Sequence, residues 1–471
     1  MQLATPSLES AATINPDGSR RFIHPALARG TFHTLRKVTG LLLLAVYAAL
    51  PWIPVNGHPA VFLDVADRRF HLFGLTLVTQ DLWLGFFLIT GTGFGLFYLT
   101  ALLGRVWCGW ACPQTVFLDV SRRIERLIEG DALARRRLDE SPWTGMKSIK
   151  RGLKQGLYAF FALALAHVFI SYFVSLPRLW KMMAASPFEH WSAFLFVFAM
   201  AAALWFDFAW FREQFCIVLC PYGRLQSVLM DNHTITVGYD SRRGEPRGKK
   251  GTSGAGDCVD CLRCVQVCPT GIDIRQGNQI ECIACAACID ACNDVMAKLQ
   301  RPAGLVRYDS ANGFAGKATR FIRPRTILYS ILLAAGTIAA AFSASTFRAA
   351  NISVLRMPGA PYYLGDDGVR NQFLLRIINK ENRPEIFQVR MHGDAPGMQT
   401  SGTAELIPTE ALGEQIRPLV ITLPRAQFHP GMAVSIWIDS ADGHFHSEQQ
   451  VPFLGPNTPE TPNPPNTPGT P

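Results

Sequence analysis

The chain has 471 residues, of which 49% are hydrophobic and only 17% are charged. In soluble proteins about a quarter of all residues are charged, so this composition disfavours a wholly soluble chain. The formal net charge of +9 would suit contact with nucleic acid or with a membrane, and the positions of the basic residues decide between the two.

Five apolar runs are long enough to cross a bilayer, which takes about 20 residues. The first run is the weakest, because Pro51 and Pro54 end it early. It also lacks the small-residue cleavage site of a signal peptide, so we expect it to be retained. The five predicted spans lie at roughly 38–55, 82–103, 155–176, 190–211 and 326–347.

The lysine and arginine counts between these runs predict the topology. Residues 1–37, 104–154 and 212–325 hold 5, 11 and 16 of these residues, whereas 56–81 and 177–189 hold 2 each. Because cytoplasmic loops carry the excess of Lys and Arg, the N-terminus and both basic loops are expected inside and the C-terminal region outside. Topology therefore explains the basic charge, and no nucleic-acid partner is expected.

The loops and the C-terminal region complete the predicted organisation. Val116–Glu129 is predicted to be a helix lying on the membrane surface. After the fifth run, short segments such as Phe373–Ile378 and Ala433–Ile438 are rich in Val, Ile, Leu and Phe and indicate an all-β sandwich. The predicted domains are a cytoplasmic segment at 1–37, a four-span membrane domain at 38–230, a cysteine-rich cytoplasmic insert at 231–325, a fifth span at 326–347, a β-sandwich at 348–455 and a disordered Pro-rich tail at 456–471.

Eight of the twelve cysteines form two runs with the spacing Cys-x2-Cys-x2-Cys-x3-Cys, at Cys258–Cys268 and Cys282–Cys292. This is the spacing of bacterial two-cluster ferredoxins, in which the fourth cysteine of each run ligates the other cluster. A structural zinc site would need four ligands in two pairs, which these runs do not match. The predicted ligands are Cys258, Cys261, Cys264 and Cys292 for one [4Fe–4S] cluster, and Cys282, Cys285, Cys288 and Cys268 for the other.

The other four cysteines form two pairs, Cys108/Cys112 and Cys216/Cys220, and each pair is followed directly by proline. On a helix, residues i and i+4 lie on one face, so each pair is predicted to present both sulfurs together. Spans one and two are predicted to form one hairpin, and spans three and four a second. If these two hairpins pack as parallel repeats, all four thiols converge. Thiolates favour Cu(I), so Cu(II) arriving there would be reduced by an electron from a nearby cluster. The alternative is that these cysteines are small buried hydrophobic residues.

Four further polar side chains are weaker candidates for function. His167 lies within the third span and could ligate haem, although a membrane histidine more often forms a hydrogen bond with a neighbouring helix. Asp207, near the inner end of the fourth span, could relay protons or pair with Arg105. His444 and His446 could bind copper, although alternating histidines on an exposed strand are usually incidental.

Several motifs together resemble the cytochrome c oxidase accessory protein family, of the CcoG/FixG/RdxA type. They are Gly104–Thr115, Arg212–Cys216, Cys220–Arg224 and the two cysteine runs, and the resemblance covers roughly residues 22–455. It implies a multi-pass protein of the bacterial inner membrane, with the N-terminus and clusters in the cytoplasm. It also implies that the β-sandwich is immunoglobulin-like and lies in the periplasm.

The same resemblance implies a cupric reductase that converts Cu(II) to Cu(I) for assembly of the cbb3-type cytochrome c oxidase. Cys108, Cys112, Cys216 and Cys220 would then be catalytic and copper-binding. The implied partners are membrane lipid, copper chaperones and assembly factors or subunits of the oxidase. The resemblance does not identify the electron donor. One alternative is a quinol-linked electron-transfer subunit resembling the NapH/NosR type, and another is a non-enzymatic assembly scaffold.

Overall fold

The structure is a computed structural model that describes residues 22–78, 81–249, 251–345, 348–392, 397–402 and 406–456. The chain forms two compact units. One holds residues 1–73 and 81–342, and the other holds residues 74–80 and 343–471. The predictions for residues 1–21 and for the Pro-rich tail beyond residue 456 fall outside the described residues.

Among the described residues, five helices are long and apolar enough to cross a membrane, as the sequence predicts. The third begins at Gly145, ahead of the predicted residue 155, because Thr144 caps its N-terminus by accepting a hydrogen bond from the backbone N–H of Lys147 at 3.2 Å. The apolar run thus marks the core of this span but misses its polar first turns. The five candidate spans are Thr31–Trp52, Trp83–Leu103, Gly145–Ile170, Trp191–Phe211 and Pro324–Ser343.

The third and fourth spans pack against each other in the first unit, and short helices connect its spans. Helix α4 (Pro113–Glu129) contains the helix predicted at Val116–Glu129, and its position on the membrane surface stays a prediction. It packs against the third span, where Leu118, Tyr158, Leu165 and Phe208 share one buried cluster. The helices up to the insert are α1 (Thr31–Ala49), α2 (Leu82–Leu103), α3 (Val106–Trp110), α4 (Pro113–Glu129), α5 (Ala132–Glu140), α6 (Gly145–Ile170), α7 (Leu176–Ala184), α8 (Trp191–Phe206) and α9 (Pro221–Leu229).

Short strands occupy the loop between the first two spans. Strands β3 and β4 pair antiparallel, with Val61 opposite Leu72 and Asp64 opposite Arg69. Two stacked imidazoles, those of His58 and His71, lie on this loop with ring centroids 4.0 Å apart. The strands are β1 (Pro54–Val55), β2 (His58–Pro59), β3 (Val61–Asp64), β4 (Arg69–Leu72) and β5 (Leu75–Val78).

A buried ion cluster joins α4 to the end of the fourth span. Glu125 accepts hydrogen bonds from Arg135, at 2.8 Å, and from Arg212. Burial alone would raise the pKa of Glu125, but the guanidinium charges of Arg212 and Arg135 lower it to about 2. Glu125 therefore stays ionised, and removing both arginines would leave its buried charge without a partner in this cluster.

The cysteine-rich insert is closed by two antiparallel strands, β6 (Thr236–Tyr239) and β7 (Val306–Asp309). Its core contains Ile274, Ile289, Met296 and Leu305, and most of the cysteines of the two runs belong to or pack against this core. The remaining helices are α10 (Ser241–Gly244), α11 (Arg263–Gln266), α12 (Ala287–Lys298), α13 (Ala311–Phe314) and the fifth span, α14 (Pro324–Ser345).

The C-terminal unit contains two antiparallel sheets, which confirms the predicted β-sandwich. One sheet has the order β12-β14-β10-β8 with β9 paired to β10, and the other has the order β13-β11-β15-β16. Alternate residues of β10, including Phe373 and Leu375, share a buried core with Phe387 and Ile436. The strands are β8 (Ala350–Arg356), β9 (Tyr363–Gly365), β10 (Gly368–Asn379), β11 (Glu385–His392), β12 (Gln399–Ser401), β13 (Ile407–Thr409), β14 (Glu414–Leu423), β15 (Ala433–Ser440) and β16 (His446–Pro452).

Candidate iron–sulfur and membrane thiol sites

The eight cysteines of the insert line two clefts. Cys258, Cys261 and Cys264 of the first run and Cys292 from α12 line a cleft of ≈ 370 Å³, which we call the first-run cleft. This grouping joins three cysteines of one run to the fourth of the other. It therefore supports the crossed ligand set that the spacing predicts.

The second-run cleft has a matching size, ≈ 350 Å³. It is lined by Cys282, Cys285 and Cys288 of the second run and by Cys268 of the first, with Cys264 also reaching its wall. Thus each cleft draws its fourth cysteine from the opposite run, and the two halves of the insert are held together across the clefts.

The chemistry of both clefts fits iron–sulfur clusters. Among the described residues that line them there is no His, Asp or Glu, so thiols supply all the metal-binding groups. Burial raises the pKa of the Cys264 and Cys282 thiols to about 12 and that of Cys292 to about 11. These thiols would therefore keep their protons at neutral pH unless iron displaced them. When bound, the clusters supply one-electron redox chemistry.

The two cysteine loops share one backbone conformation. Asp260 and Leu262 in the first loop have φ values of 54° and 56°, and Ala284 and Ala286 in the second have 52° and 61°. Left-handed conformations are uncommon for residues other than glycine and persist only where the surroundings impose them. Their recurrence at equivalent positions indicates that the two runs are copies of one cluster-binding loop.

The first membrane thiol pair does not lie on one helix face, so that prediction is wrong. Cys108 lies in α3, whereas Cys112 lies after its end, in an extended conformation with φ −61° and ψ 127°. Cys112 immediately precedes Pro113, and a residue before proline is disfavoured in the α conformation. The helix therefore breaks at the second cysteine itself, and α4 begins at the proline.

The second pair repeats this arrangement. Cys216 lies in a π-helical turn, Phe215–Leu219, and Cys220 is extended, with φ −70° and ψ 111°, before α9 begins at Pro221. In both motifs the second cysteine donates a backbone hydrogen bond five residues back. Cys112 donates to Trp107 at 2.9 Å, and Cys220 donates to Phe215 at 2.8 Å. Both breaks therefore have the same local geometry.

The four membrane thiols lie close enough to influence one another. Burial is the main reason that the pKa of Cys216 is raised to about 12, and Cys112, Cys108 and Cys220 raise it further. Gln226 contacts the sulfur of Cys108, with its Nε2 at 3.3 Å. In the described part of the chain, no three Cys, His, Asp or Glu side chains converge closely enough to hold one metal ion together.

The loop of the second cysteine run packs directly against the first membrane motif. A Cβ atom on Gly109 would lie 2.4 Å from the carbonyl oxygen of Ile283. Beside it, the indole N–H of Trp110 donates to the hydroxyl of Tyr308 at 3.1 Å, and that hydroxyl donates to the carbonyl of Ala284 at 2.6 Å. Only a glycine next to Cys108 allows the two backbones to come this close.

Arg105 lies between the membrane thiols and the thiols of the second-run cleft and interacts electrostatically with both. Its buried guanidinium donates to the carbonyls of Ile280 and Gly223. Burial lowers the pKa of Arg105, while Cys108 and Cys282 act in the opposite direction. The cation therefore lies within electrostatic reach of a membrane thiol and of a thiol in the second-run cleft.

The expected pairing of Arg105 with Asp207 is wrong. Instead, the side-chain amide of Gln114 donates to both carboxylate oxygens of Asp207, at 2.9 and 2.8 Å. Sequence reasoning also missed Gln226 and Gly109, although Gly109 stands inside the cysteine motif and only glycine lacks a side chain. His167 forms a 2.8 Å hydrogen bond with the Leu163 carbonyl of its own helix.

His444 and His446 lie at the β15–β16 turn. His446 forms a 2.5 Å hydrogen bond with Asp439 on the neighbouring strand, and the backbone N–H of His444 donates to Asp442 at 3.1 Å. These contacts place both histidines within a hydrogen-bonded turn. Copper binding by either residue stays a prediction.

Three family models match consecutive parts of the chain. Residues 84–132 match a 4Fe-4S binding domain, residues 211–311 a 4Fe-4S dicluster domain, and residues 340–456 the immunoglobulin-like fold found at the C-terminus of FixG. Together with the five apolar helices, these matches define a multi-pass membrane iron–sulfur protein that transfers electrons.

Three relatives show which branch of that class this is. The chain is 37% identical to protein RdxA of Cereibacter sphaeroides, over 86% of this chain and 89% of the relative. It is 32% identical to nitrogen fixation protein FixG of Rhizobium meliloti, over 87% and 88%. Ferredoxin-type protein NapH of Haemophilus influenzae is 25% identical, over 56% of this chain and 87% of the relative. The chain belongs to the FixG/RdxA family.

Proposed function

We propose that this protein reduces Cu(II) to Cu(I) at the membrane thiols, for assembly of a cbb3-type cytochrome c oxidase. The observation that carries the proposal is the contact between the second cysteine loop and Gly109, the residue next to Cys108. The second-run cleft, a predicted cluster site, would then lie beside soft, half-buried ligands. The cluster that supplies the electron would thus lie next to the thiols that bind copper.

Copper is the substrate in this proposal, and the four membrane cysteines are its ligands. One electron from a reduced cluster converts one Cu(II) to Cu(I), and each thiol that binds the ion releases its proton to water. Thiolates bind Cu(I) well, so the product would stay at the thiols until a partner removed it. Burial raises the pKa of Cys108 to about 11, whereas the hydrogen bond from Gln226 and the charge of Arg105 lower it and so favour the thiolate.

The predicted partners and topology belong to the same proposal. The N-terminus and the cysteine-rich insert would lie in the cytoplasm, and the immunoglobulin-like unit would lie in the periplasm. Copper chaperones, or assembly factors and subunits of the oxidase, would receive Cu(I). The immunoglobulin-like unit, with its own buried core, offers a folded surface on which such a protein could bind.

The test compares the wild-type protein with a variant in which Cys108, Cys112, Cys216 and Cys220 are changed to Ser. Both would be purified without oxygen, their clusters reduced, and Cu(II) added while a Cu(I) chelator and cluster absorbance are followed. We expect cluster oxidation matched by Cu(I) formation only in the wild type, with equal cluster content in both proteins. Equal Cu(I) formation in the two proteins would refute the proposal.

A second candidate is quinol-linked electron transfer, which the similarity to NapH and one further cleft favour. This cleft of ≈ 310 Å³ lies between α1 and α4 and is lined by Leu41, Leu44 and Val116. At its polar end Arg36 pairs with Asp119 at 2.7 Å and donates to the carbonyl of Gly109 at 2.9 Å. A quinol ring there would adjoin the second cysteine loop, and reduction of the clusters by menadiol would support this function.

A further inference from the structure

The two cluster clefts have different surroundings. The second-run cleft adjoins the membrane motif through the contact of Ile283 with Gly109. The first-run cleft adjoins solvent, because Cys261 is the one exposed cysteine among the twelve, all of which the structure describes. Next to it, Leu262 is 43% exposed, although it is a large apolar residue. Electrons from a soluble donor would therefore enter through the first-run cleft.

Basic side chains surround this exposed edge. The backbone N–H of Gly248 donates to the carbonyl of Cys258 at 3.2 Å, which places the exposed Arg247 and Lys249 on either side of the contact. Arg263 lines the cleft itself. Residues 241–276 as a whole contain seven Lys or Arg against four Asp or Glu. The edge of the cleft is thus bordered by a positively charged segment.

The acidic residues near this edge are largely engaged in ion pairs. Glu245 pairs with Arg247 at 2.8 Å, and Asp260 pairs with Arg275. Within the described residues, neither Lys249 nor Arg263 forms an ion pair, and Arg263 has only a 3.4 Å contact with the side chain of Gln266. Two cations therefore stay available to a partner beside the exposed cysteine.

We propose that this face, formed by Cys261, Leu262, Arg263 and Lys249, is the docking surface for an acidic one-electron carrier protein. An exposed apolar residue inside a charged rim is the composition of a transient protein interface, and opposite charge raises the rate of encounter. One electron leaves the carrier and reduces the cluster held by Cys258, Cys261, Cys264 and Cys292, with no bond formed or broken. The inference rests on the clusters as electron carriers and not on copper as the acceptor.

The first test measures binding of oxidised flavodoxin, a small acidic electron carrier, to the full-length protein in nanodiscs by calorimetry. The variant Lys249→Glu/Arg263→Glu is compared with wild type and with Lys317→Glu, which reverses an exposed charge elsewhere on the insert. We expect binding to weaken about tenfold in the double variant and to stay unchanged in the control. We also expect wild-type binding to weaken as salt increases, since surface charges are screened.

A second measurement locates the contact without any substitution. Carbodiimide joins a carboxylate to a lysine amine in direct contact, so mass spectrometry should find flavodoxin linked to the peptide that contains Lys249. Equal binding by wild type and double variant, or linkage only to other lysines, would overturn the proposal. So would clusters that menadiol reduces and reduced flavodoxin does not. Because no copper is present, these outcomes are independent of the copper experiment.

Discussion

Gly109 and Arg105 fix the distance between the membrane motif and the iron–sulfur insert. Gly109 has no side chain, so the Ile283 carbonyl can approach it, and the long side chain of Arg105 spans the same junction to the carbonyl of Ile280. One residue permits the contact and the other secures it. The proposed electron path to copper depends on this pair more than on any other residues outside the cysteines.

Gly109→Ala should slow copper reduction without removing the clusters. The added Cβ would lie 2.4 Å from the Ile283 oxygen, so the loop must move, and a displacement of about 1 Å can cost up to about 100-fold in rate. The measurement is Cu(I) formation after cluster reduction, with cluster content followed by absorbance. Gly91→Ala is the matched control, because its Cβ would meet nothing within 4 Å. A wild-type rate in Gly109→Ala would contradict the proposed path.

Two helix breaks with the same backbone geometry determine the positions of the membrane thiols. In each motif a short helical turn holds the first cysteine, the second is extended, and a proline begins the next helix. Proline suits the first position of a helix, because it has no N–H to leave unpaired. Each break thus takes the second cysteine off the helical turn that holds the first, whereas a continuous helix would carry both cysteines along one face.

Pro221→Ala should weaken Cu(I) binding, because Cys220 would be free to adopt the helical conformation that proline disfavours. We expect an affinity loss of about tenfold or more, measured by competition with a Cu(I) chelator. Pro324→Ala provides the control, since Pro324 also begins a helix but follows no cysteine. If Pro221→Ala bound Cu(I) as tightly as the wild type, the break would have no part in the copper site.

At the scale of the whole molecule, the iron–sulfur insert is docked on the membrane helices. Asp290 of α12 accepts hydrogen bonds from the N–H groups of Phe32 and His33, at 3.2 and 2.7 Å, at the start of the first span. Arg122 of α4 donates to the carbonyl of Pro269 at 3.4 Å. These contacts hold the insert at one position, which a fixed path for electrons requires.

The topology can be tested with reporter fusions. Alkaline phosphatase fused after residue 456 should be active and after residue 249 inactive, and green fluorescent protein should give the reverse pattern. The physical reason for this expectation is the excess of Lys and Arg in residues 104–154 and 212–325, because such an excess is typical of cytoplasmic loops. An active phosphatase at residue 249 would show that the predicted orientation is inverted.

Local signals made much of this protein predictable. The lengths of the apolar runs predicted five spans, and short segments rich in Val, Ile, Leu and Phe, such as Phe373–Ile378, predicted the β-sandwich. Cysteine spacing predicted the two ligand groups that now line separate clefts. Each of these properties depends on neighbours a few residues apart, so one sequence is enough to show them.

Only the tertiary structure decided how these parts meet. Sequence spacing placed Cys108 and Cys112 on one helix face, and Arg105 was one possible partner of Asp207. In the structure Cys112 lies at a helix break, and Arg105 donates to the Ile280 carbonyl of the insert. The structure also identified Gly109 as the point of closest approach. Such features depend on contacts between residues far apart in the chain, where packing selects among partners that are equally plausible in sequence.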